Sequence, residues 1–226
     1  MALRIQSPQG APARDAAGAL AARYDAAAAR WHDKITRLGY CRAYADLCRA
    51  FAPGAVPAGD AAALRVLDVG TGTGAFAAAF AEARGPGGPI SLDLLDKSLP
   101  MLDEAARRLA DAGLACRLIP GELGVGPLPA GTYDAVLCGH VVEHLPDPAA
   151  GLETLRAALR PGGLLLLVAS KPHWCTRLLQ WLWGHHALPE ATVLHALERA
   201  GYVRAEVFAF DEGPPSRTSR GYAAWA

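Results

Sequence analysis

Apolar residues along this chain switch repeatedly between two periods. Short, largely apolar runs fall at residues 65–70, 90–96, 115–120, 133–139, 163–169, 203–210 and 221–226 and predict seven strands. Residues 74–84, 98–112, 147–160 and 189–200 follow helical spacing instead, and a further helix is read from His173 to Trp183. Asp147-Pro148 is an N-cap followed by a proline at the first helical position. Pro161-Gly162-Gly163 is expected to stop that helix, and Gly201 the last one. Strand alternating with helix predicts an α/β doubly wound sheet, mostly parallel, with helices on both faces. A short Gly/Pro-rich turn is expected between the last two strands. Upstream, Tyr24, Trp31, Ile35, Leu38, Tyr44 and Leu47 place a helical pattern over residues 20–51, broken near Gly39. Residues 1–18 read as a mobile tail, 19–60 as a helical segment ending in a Pro/Gly linker, and 61–226 as the α/β domain.

Composition narrows the function. The 226 residues suit one domain with a sizeable core, and 22 basic against 22 acidic side chains give no net charge. Without a basic run, a nucleic-acid partner is not expected. The longest plainly apolar run, Leu164 to Ala169, is too short for an integral membrane segment, and the N-terminus lacks a signal-peptide layout. Five scattered cysteines without a Cys-x-x-Cys pair suit a reducing, cytoplasmic compartment. The oligomeric state is not readable.

Val66-Leu67-Asp68-Val69-Gly70-Thr71-Gly72-Thr73-Gly74 carries the most chemistry: a strand running into glycine at alternate positions, then a helix. Such a loop lets backbone approach a nucleotide-like ligand closely. Gly70-x-Gly72-x-x-Ala75 also fits the degenerate dinucleotide fingerprint, and Asp96, about twenty residues on, serves either reading. Asp68 inside the strand separates them. With it, the stretch resembles the acid-x-Gly-x-Gly-x-Gly motif of class I S-adenosylmethionine-dependent methyltransferases, of the ubiquinone/menaquinone type. Further matches follow in order: Asp96-Lys97-Ser98 with Met101-Leu102, Glu122-Leu123, Tyr133-Asp134-Ala135-Val136, Val142-Glu143-His144-Leu145-Pro146, and Leu159-Arg160-Pro161-Gly162-Gly163. The resemblance covers about residues 62–170 and the remainder more loosely. It implies a seven-stranded Rossmann-like sheet with an antiparallel last strand and an N-terminal helical lid.

It also implies S-adenosylmethionine as cofactor, S-adenosylhomocysteine as product, and in-line methyl transfer to a small-molecule acceptor, aromatic or apolar. The cofactor-binding residues implied are Tyr24, Asp68, Gly70, Thr71, Gly72, Gly74, Asp96, Lys97, Glu122, Leu123 and Cys138. A carboxylate at a strand tip can accept from both ribose hydroxyls, which favours Asp96 over Asp93; the plain alternative makes Asp96 the N-cap of the next helix. Glu122 and Leu123 would meet adenine. Trp31, His32, His140 and Trp174 are the acceptor-side candidates. His140, just past the fourth strand, is the first candidate base and His173 the second. His140-x-x-Glu143-His144 also spells an inverted zinc-protease motif, but Pro146 leaves too little helix, and no metal is expected. Three rivals remain: a nicotinamide-dependent oxidoreductase, a member that binds the cofactor without using it, and an enzyme using it for other chemistry.

Overall fold

The computed structural model describes residues 30–55, 63–85, 87–173 and 187–226. Each central strand buries both of its faces. In β1 (Leu64–Val69), Leu64 and Val66 enter one core, while Leu67 and Val69 enter the other. In β5 (Leu159–Ser170), Leu164, Leu166 and Val168 oppose Leu165, Leu167 and Ala169 in the same way. Continuous apolar strands of this kind need a helical layer on each side.

Those layers come from the intervening segments. On one face lie α2 (Tyr40–Phe51), α3 (Ala75–Arg84) and α4 (Leu99–Asp111), which contribute Leu47, Phe80 and Leu109. On the other lie α5 (Pro148–Ala158) and α6 (Glu190–Arg199), with Leu155 and Leu197. The remaining strands are β2 (Ile90–Asp96), β3 (Cys116–Pro120), β4 (Tyr133–Gly139), β6 (Arg204–Phe208) and β7 (Ser219–Trp225). Their order is β3-β2-β1-β4-β5-β7-β6. The first five are parallel, and β7 is antiparallel to both neighbours, as expected. The chain winds outward from β1 to β3 and then returns to β4 beside β1, so the sheet has a switch point between β1 and β4, where open α/β sheets bind ligands.

A short helix, α1 (residues 30–37), precedes α2, and Gly39 at φ +83° makes the break between them. α2 belongs to the core: Leu47 and Cys48 are buried, and Tyr44 stacks on Phe76 with centroids 4.6 Å apart. Asp147 Oδ1 caps α5 by accepting from Ala149 N (3.0 Å) and Ala150 N (3.2 Å).

Two connections differ from the sequence expectation. Pro161-Gly162-Gly163 does not stop α5. The helix ends at Ala158, because Leu159 is already extended, buried and paired with Tyr133. The Pro-Gly-Gly stretch lies within β5, where Gly163 packs too closely on the backbone for a side chain: an added Cβ would stand 3.0 Å from Arg160 O. Between β6 and β7 runs a helix, α7 (Gly213–Thr218), with prolines in its first turn preset for helical φ. The expected helix from His173 to Trp183 falls on residues 174–186, outside the described residues, apart from an irregular His173. The 1–18 tail also lies outside them.

Asp93 clamps three strands. Its carboxylate accepts from Arg117 Nε (2.9 Å) and Nη2 (2.6 Å) on β3, and from the Tyr133 hydroxyl (2.8 Å) on β4. Burial pushes this carboxyl up, but the bonds from Arg117 and Tyr133 prevail and hold it below its ordinary range. Asp93→Ala should leave the buried Tyr133 hydroxyl without its acceptor and destabilise the fold by about 1–3 kcal/mol. Urea denaturation checks this as a lowered midpoint at constant m-value.

Candidate active site

A cavity of about 280 Å³ opens at the C-terminal ends of β1, β2, β4 and β5. Its floor is the loop from Gly70 to Thr73, and one wall is the β2 tip with Leu95, Asp96 and Lys97. The β4 tip supplies Gly139, His140 and Val141, followed by Glu143, His144 and Leu145. Trp31, Ile35 and Leu38 face it from α1 and the turn after it, and Tyr40 and Tyr44 from α2.

The loop is shaped by contacts on all sides. Gly70 lies at φ +62°, and a Cβ there would fall 2.2 Å from Val141 Cγ2, so only glycine fits. Gly70 N and Thr71 N both donate to Leu95 O, at 2.7 and 3.1 Å. Gly72 N donates to Asp96 Oδ2 (2.8 Å), and Ser98 N to Asp96 Oδ1 (3.0 Å). The cap of α4 is Ser98, whose Oγ accepts from Met101 N; Asp96 therefore sits outside the helix, at the cavity wall. Burial raises the Asp96 carboxyl, although the Ser98 and Gly72 amides pull it down.

Asp68 underlies the loop. Its Oδ2 accepts from Thr71 Oγ1 (2.7 Å) and from Ala77 N (3.2 Å) in the first turn of α3. Complete burial dominates and pushes the carboxyl up to about 7, against the pull of those two bonds; the nearby Asp96 charge adds to the rise. An acid whose native range lies above its unfolded range binds more protons folded than unfolded. Stability from Asp68 is therefore present at acid pH and lost as pH rises from about 4 through about 7. Asp68→Asn removes this titration. The stability of the wild type relative to Asp68→Asn should fall by on the order of 1–3 kcal/mol between pH 5 and pH 8, measured as urea midpoints at both pH values.

His140 lies in the left-handed region at φ +58°, the one non-glycine residue there among the described residues, with its N–H donating to Val168 O (2.8 Å). Its Nδ1 is 3.0 Å from Glu143 Oε1 and 3.3 Å from Ser170 Oγ, and its Nε2 is 3.5 Å from Ser219 Oγ. Tyr40 meets the ring edge-on at 5.3 Å and donates or accepts at Thr218 Oγ1 (3.2 Å). Glu143 is fully buried. Burial alone would raise its carboxyl, yet the His140 bond and the charges of His140 and His144 hold it at about 2. This corner can take a proton from a group in the cavity and hold the resulting positive charge beside a carboxylate.

Asp68, Gly70, Thr71, Gly72, Asp96, Lys97, Glu122, Leu123, Trp31 and His140 all line the cavity, as their sequence positions suggest. Glu122 and Lys97 are joined there by an ion pair at 2.9 Å. Four other residues are placed differently. Gly74 turns away from the cavity, because the chain packs against Ala105 of α4 at that point, 3.2 Å from an added Cβ. Cys138 is wholly buried among apolar side chains of the sheet, and burial drives its thiol far up. His32 is held outside the lining by Thr73 Oγ1 (3.2 Å to Nδ1) and Arg108 Nη2 (2.7 Å to Nε2); burial and the Arg108 charge lower its pKa. His173 follows β5 without lining the cavity. Tyr24 and Trp174 fall outside the described residues. The zinc-protease motif needs both histidines on one helix, whereas His140 follows a strand and Glu143 and His144 lie in a single 3₁₀ turn. Glu143, Ser170 and Thr218 join the site from positions that sequence reading did not select. Only Glu143 had a local signal, since an acid in a run as apolar as Val141-Val142-x-x-Leu145 needs a partner.

Comparison with known proteins agrees with this geometry. Residues 67–165 match the family model described as Methyltransferase domain. A ubiquinone biosynthesis O-methyltransferase of Leptothrix cholodnii is 36% identical over 104 residues, covering 46% of this chain and 43% of that protein. The ubiquinone/menaquinone biosynthesis C-methyltransferase UbiE of Bordetella avium is 31% identical over 145 residues, covering 60% and 56%. The chain thus spans about half the length of these curated relatives. In fold it is similar to an S-adenosylmethionine-dependent methyltransferase of Mesorhizobium loti (TM-score 0.59, 21% identity, 77% of this chain and 95% of that one). It is likewise similar to phosphoethanolamine N-methyltransferase 2 of Haemonchus contortus, solved with S-adenosyl-L-methionine (TM-score 0.63, 14% identity, 80% and 52%). The family match begins inside β1 and ends inside β5, so this part of the chain, less than half of it, is similar to a methyltransferase domain on a sheet of this strand order.

Proposed function

We propose that this protein transfers a methyl group from S-adenosylmethionine to a small, largely apolar acceptor bearing a nucleophilic atom, a ring compound of the quinone-biosynthesis class for which its relatives are named. The observation that carries the reading is the glycine loop closed against Asp96 at the switch point of the sheet, with Asp68 beneath it. The donor set fits the cofactor. Each Asp96 oxygen accepts one backbone N–H, which leaves lone pairs for a ribose diol. Asp68 and Asp96 are buried carboxyls whose burial disfavours the ionised form and raises their pKa, a penalty that a cationic ligand would relieve. Leu95, Met101 and Leu123 offer apolar contact for a base, beside the Lys97–Glu122 pair.

When bound, S-adenosylmethionine supplies a methyl group made electrophilic by the sulfonium. The protein's own part is to hold the ribose at Asp96, to line up the acceptor, and to exclude water. Proximity and orientation can contribute roughly 7–11 kcal/mol in favourable systems. Ile35, Leu38, Tyr40 and Tyr44 form the apolar side facing His140, which suits a ring or alkyl body. His140 removes the acceptor proton at Nε2. Residues 30–37 cover the loop, with Trp31 Nε1 3.9 Å from where a Gly72 Cβ would stand.

Two substitutions test this reading. Asp96→Ala should weaken S-adenosylhomocysteine about 10- to 100-fold by removing one or two charge-assisted bonds. Calorimetry reads that affinity, and the wild type should ignore NAD; binding of NAD in place of S-adenosylhomocysteine would favour a nicotinamide-dependent oxidoreductase. His140→Ala should lower kcat roughly 10²–10⁴-fold while leaving S-adenosylhomocysteine affinity nearly unchanged. Turnover of hydroxylated quinol-type acceptors, followed by mass spectrometry, checks the second; intact kcat at saturation would remove His140 from the chemistry.

A further inference from the structure

We propose that Glu143 is a positioning residue that fixes His140 as a base with its open nitrogen at Nε2. The inference rests on the proposed methyl transfer for its kinetic consequence, but its structural content stands without it.

The hydrogen-bond directions are determined by chemistry. Glu143 Oε1 accepts from Ser170 N (3.0 Å), a backbone donor at the β5 tip. The same oxygen lies 3.0 Å from His140 Nδ1. Ionised, Glu143 can only accept, so Nδ1 carries the proton of the neutral ring and Nε2 carries the lone pair. Its carboxyl, held at about 2, is ionised throughout the working range. Nε2 has Ser219 Oγ at 3.5 Å, the outer limit of a hydrogen bond, and a stronger donor in the cavity can displace that contact.

The carboxylate is also unusually committed to this task. Glu143 has no exposed side-chain surface, and its Oε2 has no hydrogen-bond partner among the described residues. A buried anion with one oxygen unsatisfied is costly unless a positive charge arises nearby. That charge arises when His140 protonates. The titratable groups around the pair are Tyr40 at the His140 ring edge, and His144, Tyr44, Cys138 and Tyr222 around Glu143. Burial keeps Tyr44 and Cys138 neutral. Backbone geometry supports the same role: His140 sits at φ +58°, a conformation that a non-glycine residue holds only where its surroundings impose it. In the step itself the acceptor X–H gives its proton to Nε2 as X takes the methyl group. S-adenosylhomocysteine and the methylated acceptor form, and the imidazolium beside Glu143 later returns its proton to water.

The test combines kinetics with a readout independent of activity. Glu143→Gln keeps the side-chain length and an oxygen for Ser170 N but removes the charge. It should lower kcat about 10- to 100-fold and leave S-adenosylhomocysteine affinity within about threefold. It should also move the acid limb of the kcat–pH profile to lower pH, the direction expected when an imidazolium loses its anionic partner. In the His140→Ala background the same substitution should cost nothing further, since the two act as one unit. An equal loss in both backgrounds, or an unmoved profile, overturns the proposal. ¹⁵N NMR of the wild-type His140 ring should show the Nδ1–H tautomer, whether or not Glu143→Gln folds; a dominant Nε2–H tautomer also overturns it. If His140→Ala leaves kcat intact while the Nδ1–H tautomer is found, the base assignment fails and the Glu143–His140 pairing stands.

Discussion

A carboxylate placed where water cannot reach organises the binding end of this molecule. Asp68 sits in a central parallel strand, covered on both faces, and its Oδ2 draws in the Thr71 hydroxyl and the first-turn amide of α3. Those two bonds fold the Gly70–Gly74 loop back over the strand end and set where α3 begins. From that follow the Leu95 carbonyl's pairing with the loop amides and the Gly72 amide's contact with Asp96.

 Leu95 thus serves the loop through its backbone and the cavity wall through its side chain. The arrangement keeps a costly buried acid because the loop cannot be held in this shape by apolar packing alone.

The two buried acids at the site differ in what surrounds them. Asp68 has only neutral donors and a neighbouring acid, so burial prevails and its carboxyl rises to about 7. Glu143 is equally buried, but His140 and His144 stand beside it and hold it at about 2. Opposite outcomes from the same residue class give the cavity two distinct ends. At one end burial penalises the ionised carboxyl, and the other already holds a fixed negative charge behind an imidazole. The clamp at Asp93 shows the same logic applied to stability alone, since Arg117 and Tyr133 satisfy it away from the cavity.

The apolar periodicity was enough to place the strands and helices of the sheet, because each central strand reads as a continuous apolar run between turn residues. Asp68, the glycine loop, Asp96 and the Glu122-Leu123 pair were legible for a related reason. Their chemistry is local, and each falls where a strand ends. The connections were less legible. Pro161-Gly162-Gly163 has the composition of a helix stop, but pairing of Leu159 with Tyr133 ends α5 earlier. Gly213-Pro214-Pro215 has the composition of a turn, but its prolines open α7.

The sequence by itself determined the order of the strands along the chain, the doubly wound class and the acidic and glycine positions at the tips of β1 and β2, since these depend on neighbours within a few residues. Tertiary structure decided which side chains share the cavity. His32 is drawn to Arg108, 76 residues away, and Gly74 is taken up by packing on α4. His140 meets Ser170 and Ser219, 30 and 79 residues further along the chain, only because β4, β5 and β7 lie side by side. Contacts between strand tips are set by sheet order, and no local pattern in the chain records which tips will be neighbours.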